Sequence, residues 1–104
     1  MSYIRYKNNN LFVENVSVKN LTSKLSTPFY LYSEGNIVDN YKAFLSNFKK
    51  SNPLICFSVK ANSNIQILKV LKKMGSGADV VSGGELLKAI KSGIQPNKIV
   101  FSGV

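Results

Sequence analysis

The chain is 104 residues long, which suffices for one small domain with a modest core. No apolar stretch is long enough to span a bilayer, and the polar start "MSYIRYKNNN" lacks the apolar region of a secretory signal. The single cysteine, Cys56, cannot form an intramolecular disulfide. These features exclude a disulfide scaffold and a membrane-spanning protein, and they favour a cytoplasmic setting.

The charge is strongly basic, with 14 lysines and arginines against five acidic residues and a net charge of +9. Such a balance is typical of nucleic-acid binding proteins, but it also arises from solvated helix faces. We favour solvated faces because the lysines are scattered and the aromatic residues do not alternate with them. A third interpretation is that an acidic part of a longer protein is missing. We expect no nucleic-acid or membrane partner.

The first predicted elements are a strand at 27–32, "TPFYLY", and a helix that Ser33 caps. Apolar residues recur along one face of this helix: Ile37, Tyr41, Phe44, Leu45 and Phe48. The segment "SNP" at 51–53 ends it, and the apolar run 54–59 predicts a second strand.

Two further helix–strand pairs follow. Asn62 or Ser63 is predicted to cap a helix that ends at Gly75, and a strand over 78–81 follows it. Ser82 and Glu85 have the spacing of a capping box for a helix that ends at Gly93, before a strand over 99–101. The apolar faces of these two helices are Ile67, Leu68, Leu71 and Met74 in the first, and Leu86, Leu87 and Ile90 in the second.

This β-α-β-α-β order predicts parallel strands joined by crossover helices. A closed barrel of this kind requires eight strand–helix units and roughly 250 residues. We therefore predict the α/β class, specifically the N-terminal and incomplete part of a parallel (β/α)8 TIM-type barrel. The chain is expected to be a piece of a longer protein.

Lys60 follows the predicted strand 54–59, at the end where barrel enzymes carry their chemistry. Ile55, Phe57 and Val59 share one face of this strand, while Cys56, Ser58 and Lys60 share the other. A lysine in a partly desolvated site is shifted toward the neutral amine, which forms Schiff bases. The alternative is a solvated lysine at a strand end, and the strand pattern alone leaves both open.

Three segments resemble one enzyme family: "FSVKANSN", "GSGADVVSGGEL" and "KIVFSGV". Together with "TPFYLYSEGNIVDNY" they are similar to the diaminopimelate decarboxylases, which are fold-type III pyridoxal-phosphate enzymes related to alanine racemase and ornithine decarboxylase. The resemblance covers 27–104, and "GSGADVVSGGEL" is its most specific part.

The resemblance implies a barrel and a separate β domain. Residues 1–32 would contribute to the β domain, and 33–104 would form the first units of the pyridoxal-phosphate-binding barrel. Lys60 would hold pyridoxal 5'-phosphate as a Schiff base and serve as a catalytic residue. The implied reaction converts meso-diaminopimelate to L-lysine in a homodimer.

Asp79 is the second candidate catalytic residue. By the residues alone, a structural aspartate and a functional one are equally supported. The resemblance places an acid here close to the cofactor and the lysine. Neighbouring strands could bring Asp79 and Lys60 together if both side chains point inward.

The remaining polar positions favour structural roles. Asn62, Ser82 and Glu85 are interpreted as helix caps, and Cys56 as a small core residue. The pair Gly83 and Gly84 is too weak a signal for a phosphate loop, and no metal site is predicted.

The chain departs from the family because it contains no histidine. It also lacks the "EPGR"-type motif with which the family binds its cofactor. The 104 residues alone are therefore expected to be inactive. The alternatives are another fold-type III amino-acid decarboxylase or racemase, or a small basic binding module without catalysis.

Overall fold

A computed structural model describes residues 2–104 of the chain. The chain forms two compact units, one ending at Asn36 and the other running from Ile37 to Val104. None of the helices in the described residues is long and apolar enough to cross a membrane. The assignment of 1–32 and 33–104 to two domains of a larger protein stays a prediction.

The first unit contains an antiparallel sheet of three strands, β1 (Ile4–Lys7), β2 (Asn10–Val13) and β3 (Val16–Ser17). The turn between β1 and β2 consists of Asn8 and Asn9, whose φ angles are 49° and 58°. Positive φ at both central residues is typical of the type I′ hairpin turn, and asparagine tolerates it well. Helix α1 (Val18–Thr22) follows directly and is capped by Ser17.

A hydrogen-bonded cluster forms where helix α2 (Glu34–Ser46) begins. The side chain of Glu14 accepts hydrogen bonds from the Ser33 hydroxyl at 2.6 Å and from the Gly35 amide at 2.8 Å. Ser33 in turn accepts from the Asn36 amide at 3.0 Å, which confirms the predicted cap. The hydrogen bond from Ser33, and then that from Gly35, hold the pKa of Glu14 below its usual value.

We predict that Glu14→Gln destabilises the full-length protein in a pH-dependent way. Since the folded-state pKa of Glu14 is lowered, its ionised form stabilises the fold above the unfolded-state pKa of about 4.3. That stabilisation is lost as the pH falls through the folded-state value. The melting temperature of the variant should therefore lie below that of the wild type near neutral pH, and the gap should close in acid. Glu34→Gln is the matched control, and an equal pH-dependent gap there would contradict the prediction.

The strand predicted at 27–32 is wrong. This segment is irregular and pairs with no other strand among the residues that the structure describes. Tyr30 is 90% exposed, and its ring stacks on that of Tyr32. Aromatic residues favour strands only where a neighbouring strand supplies hydrogen bonds and packing, and the described chain supplies neither here.

The second unit is a three-stranded parallel sheet with its crossover helices. The strands are β4 (Cys56–Ser58), β5 (Gly77–Val80) and β6 (Ile99–Phe101), in the order β4-β5-β6. Helix α3 (Ile65–Lys73) joins the first pair, and helix α4 (Gly83–Lys91) joins the second. The predicted β-α-β-α-β order with parallel strands is confirmed.

The core lies between this sheet and its helices. Its fully buried residues are Val59, Leu68, Ala78, Val80, Ala89 and Ile94, with Phe57 and Ile99 packed against them. Phe57 therefore faces the helices as the strand alternation predicted. Gly75 and Gly93 directly follow the C-cap residues of α3 and α4 and have φ angles of 92° and 91°, so both predicted helix ends are confirmed.

The predicted apolar face of α4 is left uncovered in the described chain. Leu86, Leu87 and Ile90 are 40%, 53% and 45% exposed, whereas the buried residue of this helix is Ala89. Periodicity locates an apolar stripe on a helix, but it does not say which part of the stripe meets the sheet. The small side chain of Ala89 is the one that packs into the core.

Candidate active site

Lys60 lies directly beyond the carboxyl end of β4. The strand ends at Ser58, and residues Val59–Ala61 form a single 3₁₀ turn that carries the lysine. The predicted strand 54–59 is therefore too long, and the alternation argument does not reach Lys60. Val59 is completely buried and anchors the turn in the core, while Lys60 itself is exposed. The described residues do not supply the partial desolvation that the sequence predicts.

Asp79 occupies the middle of β5. It pairs in register with Ser58 of β4 on one side and with Val100 of β6 on the other. Its neighbours in sequence, Ala78 and Val80, both belong to the core, so the Asp79 side chain projects from the opposite face of the sheet. Its Oδ1 atom is buried and has no hydrogen-bond partner among the described residues. Buried polar atoms are nearly always paired, so this oxygen indicates a missing partner.

The structure brings Lys60 and Asp79 to the same region of the sheet but does not join them. Ser58 is the register neighbour of Asp79, and Lys60 follows Ser58 by two residues. No ion pair links the two side chains in the described part of the chain. Their direct approach stays a prediction.

Cys56 lies on the same face as Asp79, because it pairs with Gly77 at the start of β5. It is half-buried and stands outside the core cluster, so the core interpretation of this cysteine is wrong. Burial raises the pKa of its thiol, and the negative charge of Asp79 raises it further. The thiol is therefore held in its protonated, unreactive form.

The loop after Lys60 is shaped by two asparagines. Asn64 caps α3, with its side chain accepting from the Gln66 amide at 2.8 Å. The capping role predicted for Asn62 or Ser63 is therefore wrong by one or two residues. Asn62 instead accepts from the Asn64 amide at 3.1 Å, which tightens the turn before the helix. Ser63 accepts from the Lys88 ammonium at 3.0 Å, a link to α4.

The capping box of α4 is confirmed in a modified form. The Ser82 hydroxyl accepts from the Glu85 amide at 3.1 Å. The Glu85 carboxylate reaches back to the amide of Val81 at 3.2 Å, one residue earlier than in the usual box. Ser82 and Glu85 are thus occupied by the start of the helix.

Comparison with known proteins identifies the family. Residues 34–104 match the model of the pyridoxal-dependent decarboxylases, pyridoxal binding domain. The chain belongs to this family. It is 45% identical over 102 residues to a diaminopimelate decarboxylase of Aquifex aeolicus, covering 98% of this chain and 24% of that protein.

Solved structures agree with the family. A diaminopimelate decarboxylase from M. jannaschii in complex with L-lysine superposes with a TM-score of 0.89 at 37% identity, over 96% of this chain and 24% of that one. A lysine decarboxylase from Selenomonas ruminantium gives 0.75 at 26% identity, over 95% and 24%. The predicted fold class, the α/β class of fold-type III enzymes, is confirmed. The chain spans about a quarter of the length of the relatives that it matches.

The described residues fit a pyridoxal group. Lys60 is exposed and lies just beyond the end of a parallel strand. The unpaired oxygen of Asp79 lies on the neighbouring strand, on the face of the sheet opposite the core. That face carries only the small side chain of Ser58 next to Asp79, which leaves room for a ligand there. The space above Gly77 is filled by the carbonyl oxygen of Lys98 and the sulfur of Cys56. Sequence patterns identified Lys60 and Asp79, but they gave no sign of the pairing between Ser58 and Asp79. Only the strand register shows it.

Proposed function

We propose that this chain is the pyridoxal-binding part of an enzyme that decarboxylates meso-diaminopimelate to L-lysine. The observation that carries the proposal is an exposed lysine amine just beyond the end of β4, with an unpaired buried carboxylate oxygen on the neighbouring strand β5, in a member of the pyridoxal-dependent decarboxylases. The names of the relatives support diaminopimelate as the substrate. Pyridoxal 5'-phosphate, when bound, would accept the electron pair that loss of carbon dioxide releases.

Lys60 and Asp79 have distinct roles in this proposal. The Lys60 amine would hold the cofactor. The turn Val59–Ala61 would fix the backbone from which the Lys60 side chain extends, because Val59 is completely buried in the core. The carboxylate of Asp79 would orient a proton on the Lys60 nitrogen by attraction between opposite charges. The small side chain of Ser58 on the same face would leave the space between the two groups open.

A second candidate is another amino-acid decarboxylase of the same fold, which the similarity to a lysine decarboxylase favours. The full-length protein, loaded with pyridoxal 5'-phosphate, separates the two. Carbon dioxide release should be fastest from meso-diaminopimelate and at least tenfold slower from L-lysine, L-ornithine and L-arginine. A preference for one of the other amino acids would overturn the proposed substrate. Interconversion of D- and L-alanine without carbon dioxide release would instead indicate a racemase.

The proposal extends to a homodimer in the cytoplasm. An exposed apolar patch on α4 supports this extension, since such a patch is usually covered by further protein. The patch consists of Leu86, Leu87 and Ile90, and the rest of the enzyme or a second subunit would cover it. Analytical ultracentrifugation of the full-length protein should give twice the mass of one chain. A monomer with full activity would overturn the dimer.

We predict that Asp79→Asn in the full-length enzyme keeps the fold and the cofactor but lowers kcat by tenfold or more. The substitution keeps the size of the side chain and removes its charge, so the orientation of the Lys60 proton is lost. The measurements are kcat, the absorbance of bound pyridoxal phosphate and the melting temperature of one preparation. Asp39→Asn is the control, since Asp39 is an exposed residue of α2. Unchanged turnover with a lowered melting temperature would show that Asp79 is structural.

A further inference from the structure

A second polar side chain accompanies Asp79 on the open face of the sheet. Ser58 and Asp79 are register partners on β4 and β5. The preceding pair, Phe57 and Ala78, faces the core, so Ser58 and Asp79 project together from the other face. Ser58 is half-buried, and its hydroxyl does not cap the turn that follows it. In the described conformation it makes no hydrogen bond to the Oδ1 atom of Asp79 either, so the hydroxyl remains available as a donor after rotation of the side chain.

The buried Oδ1 atom of Asp79 requires a donor, and its surroundings in the sheet offer few. On the β6 side its register partner is Val100, whose side chain is apolar. On the β4 side the thiol of Cys56 lies 3.8 Å from the carbonyl oxygen of Lys98 and is directed to it. Among the described residues that pair with Asp79 in register, Ser58 is the one with a side-chain donor.

We propose that Ser58 is a positioning residue whose hydroxyl donates a hydrogen bond to Asp79 and fixes its carboxylate relative to Lys60. Adjacent strands lie about 4.8 Å apart, and rotation of a serine side chain between its staggered conformations can direct the hydroxyl across that gap. Threonine retains the donor at this position and alanine removes it. The effect on turnover rests on the proposed function, whereas the hydrogen bond itself does not.

The test is a double-mutant cycle in the full-length protein with Ser58→Ala, Asp79→Ala and their combination. The melting temperature of the cofactor-free protein is the first measurement. Ser58→Ala is expected to lower it by about 1–3 °C when Asp79 is present, and to leave it unchanged in the Asp79→Ala background. Asp79→Leu, which likewise has no acceptor and keeps a similar side-chain volume, replaces Asp79→Ala if the alanine variant does not fold.

Turnover of the loaded enzyme is the second measurement. Ser58→Ala should lower kcat about threefold to tenfold with KM changed less than twofold, because a misplaced carboxylate affects the reaction more than substrate binding. Ser58→Thr should retain most of the wild-type kcat. Cys56→Ala is the matched control, since Cys56 lies on the same face two residues earlier and pairs with Gly77 instead. It should leave kcat unchanged.

The outcomes separate this inference from the proposed function. Equal effects of Ser58→Ala with and without Asp79 would overturn the hydrogen bond. Equal losses of kcat in Ser58→Ala and Ser58→Thr would overturn the positioning role. If the wild-type protein releases no carbon dioxide from meso-diaminopimelate, the proposed function fails. The melting temperatures of the cofactor-free variants then still decide whether Ser58 holds Asp79.

Discussion

Replacing Lys60 by alanine is expected to abolish decarboxylation by the full-length enzyme while leaving its fold intact. The amine is the group that would hold the cofactor, and alanine has no nucleophile to replace it. The side chain is exposed and contributes nothing to the core, which the neighbouring Val59 fills. Turnover should therefore fall to background, and the visible absorbance of the bound cofactor should be lost. The melting temperature of the cofactor-free protein should stay within about 1 °C of wild type, as for other surface substitutions.

Lys69→Ala is the matched control for this experiment. Lys69 is also an exposed lysine, but it lies on α3 and away from the carboxyl end of β4. Its replacement removes the same charge and side chain without touching the proposed site. Turnover near the wild-type rate in Lys60→Ala would contradict the assignment. A large loss in Lys69→Ala would show that the lost charge, rather than the position of Lys60, is responsible.

The sequence predicted best those features that depend on nearby residues. The ends of α3 and α4 were predicted correctly because Gly75 and Gly93 take a left-handed conformation that other residues avoid. The caps at Ser33 and Ser82 were predicted for the same local reason, since a hydroxyl accepts from an amide three residues later. The position of Lys60 at the end of a strand was also predicted from neighbouring residues alone, because the apolar run that precedes it is local.

Features that depend on distant residues could not be predicted in this way. The segment 27–32 has strand-forming residues, yet a strand exists only where another strand pairs with it. The stripe of Leu86, Leu87 and Ile90 was read correctly as apolar, but its burial depends on protein that packs against it. The pairing of Ser58 with Asp79 depends on register between strands about 20 residues apart, and no local pattern determines that register.

Gly77 is a further position whose structural role is visible only in the packing of the strands. It begins β5, it is buried, and its amide donates to the carbonyl of Ile55 at 2.8 Å. A Cβ atom at this position would overlap the backbone carbonyl oxygen of Lys98 and lie 2.8 Å from the Cys56 sulfur. The segment that enters β6 therefore approaches β5 closely because residue 77 has no side chain.

We predict that Gly77→Ala destabilises the protein by about 3 kcal/mol, at the upper end of the range for overpacked sites. A methyl group would force the residues before β6 away from β5 and weaken the pairing of Ala78 with Ile99. Asp79 would move with β5, so the fraction that still folds should also turn over more slowly. Thermal and denaturant unfolding of the full-length protein measure the first effect, and kcat per bound cofactor measures the second.

Two further variants show whether the Lys98 backbone is the cause. Gly83→Ala is the matched control, because a Cβ atom at Gly83 would have no neighbour within 4 Å, and it should leave stability nearly unchanged. Cys56→Ala combined with Gly77→Ala should recover little, since the carbonyl oxygen of Lys98 still occupies the space. Full recovery in that double variant would assign the clash to the Cys56 sulfur and contradict the prediction. If part of the lost stability is recovered, that part measures the contribution of the Cys56 sulfur to the clash. The stability that is not recovered then measures the cost of moving the backbone before β6 away from β5.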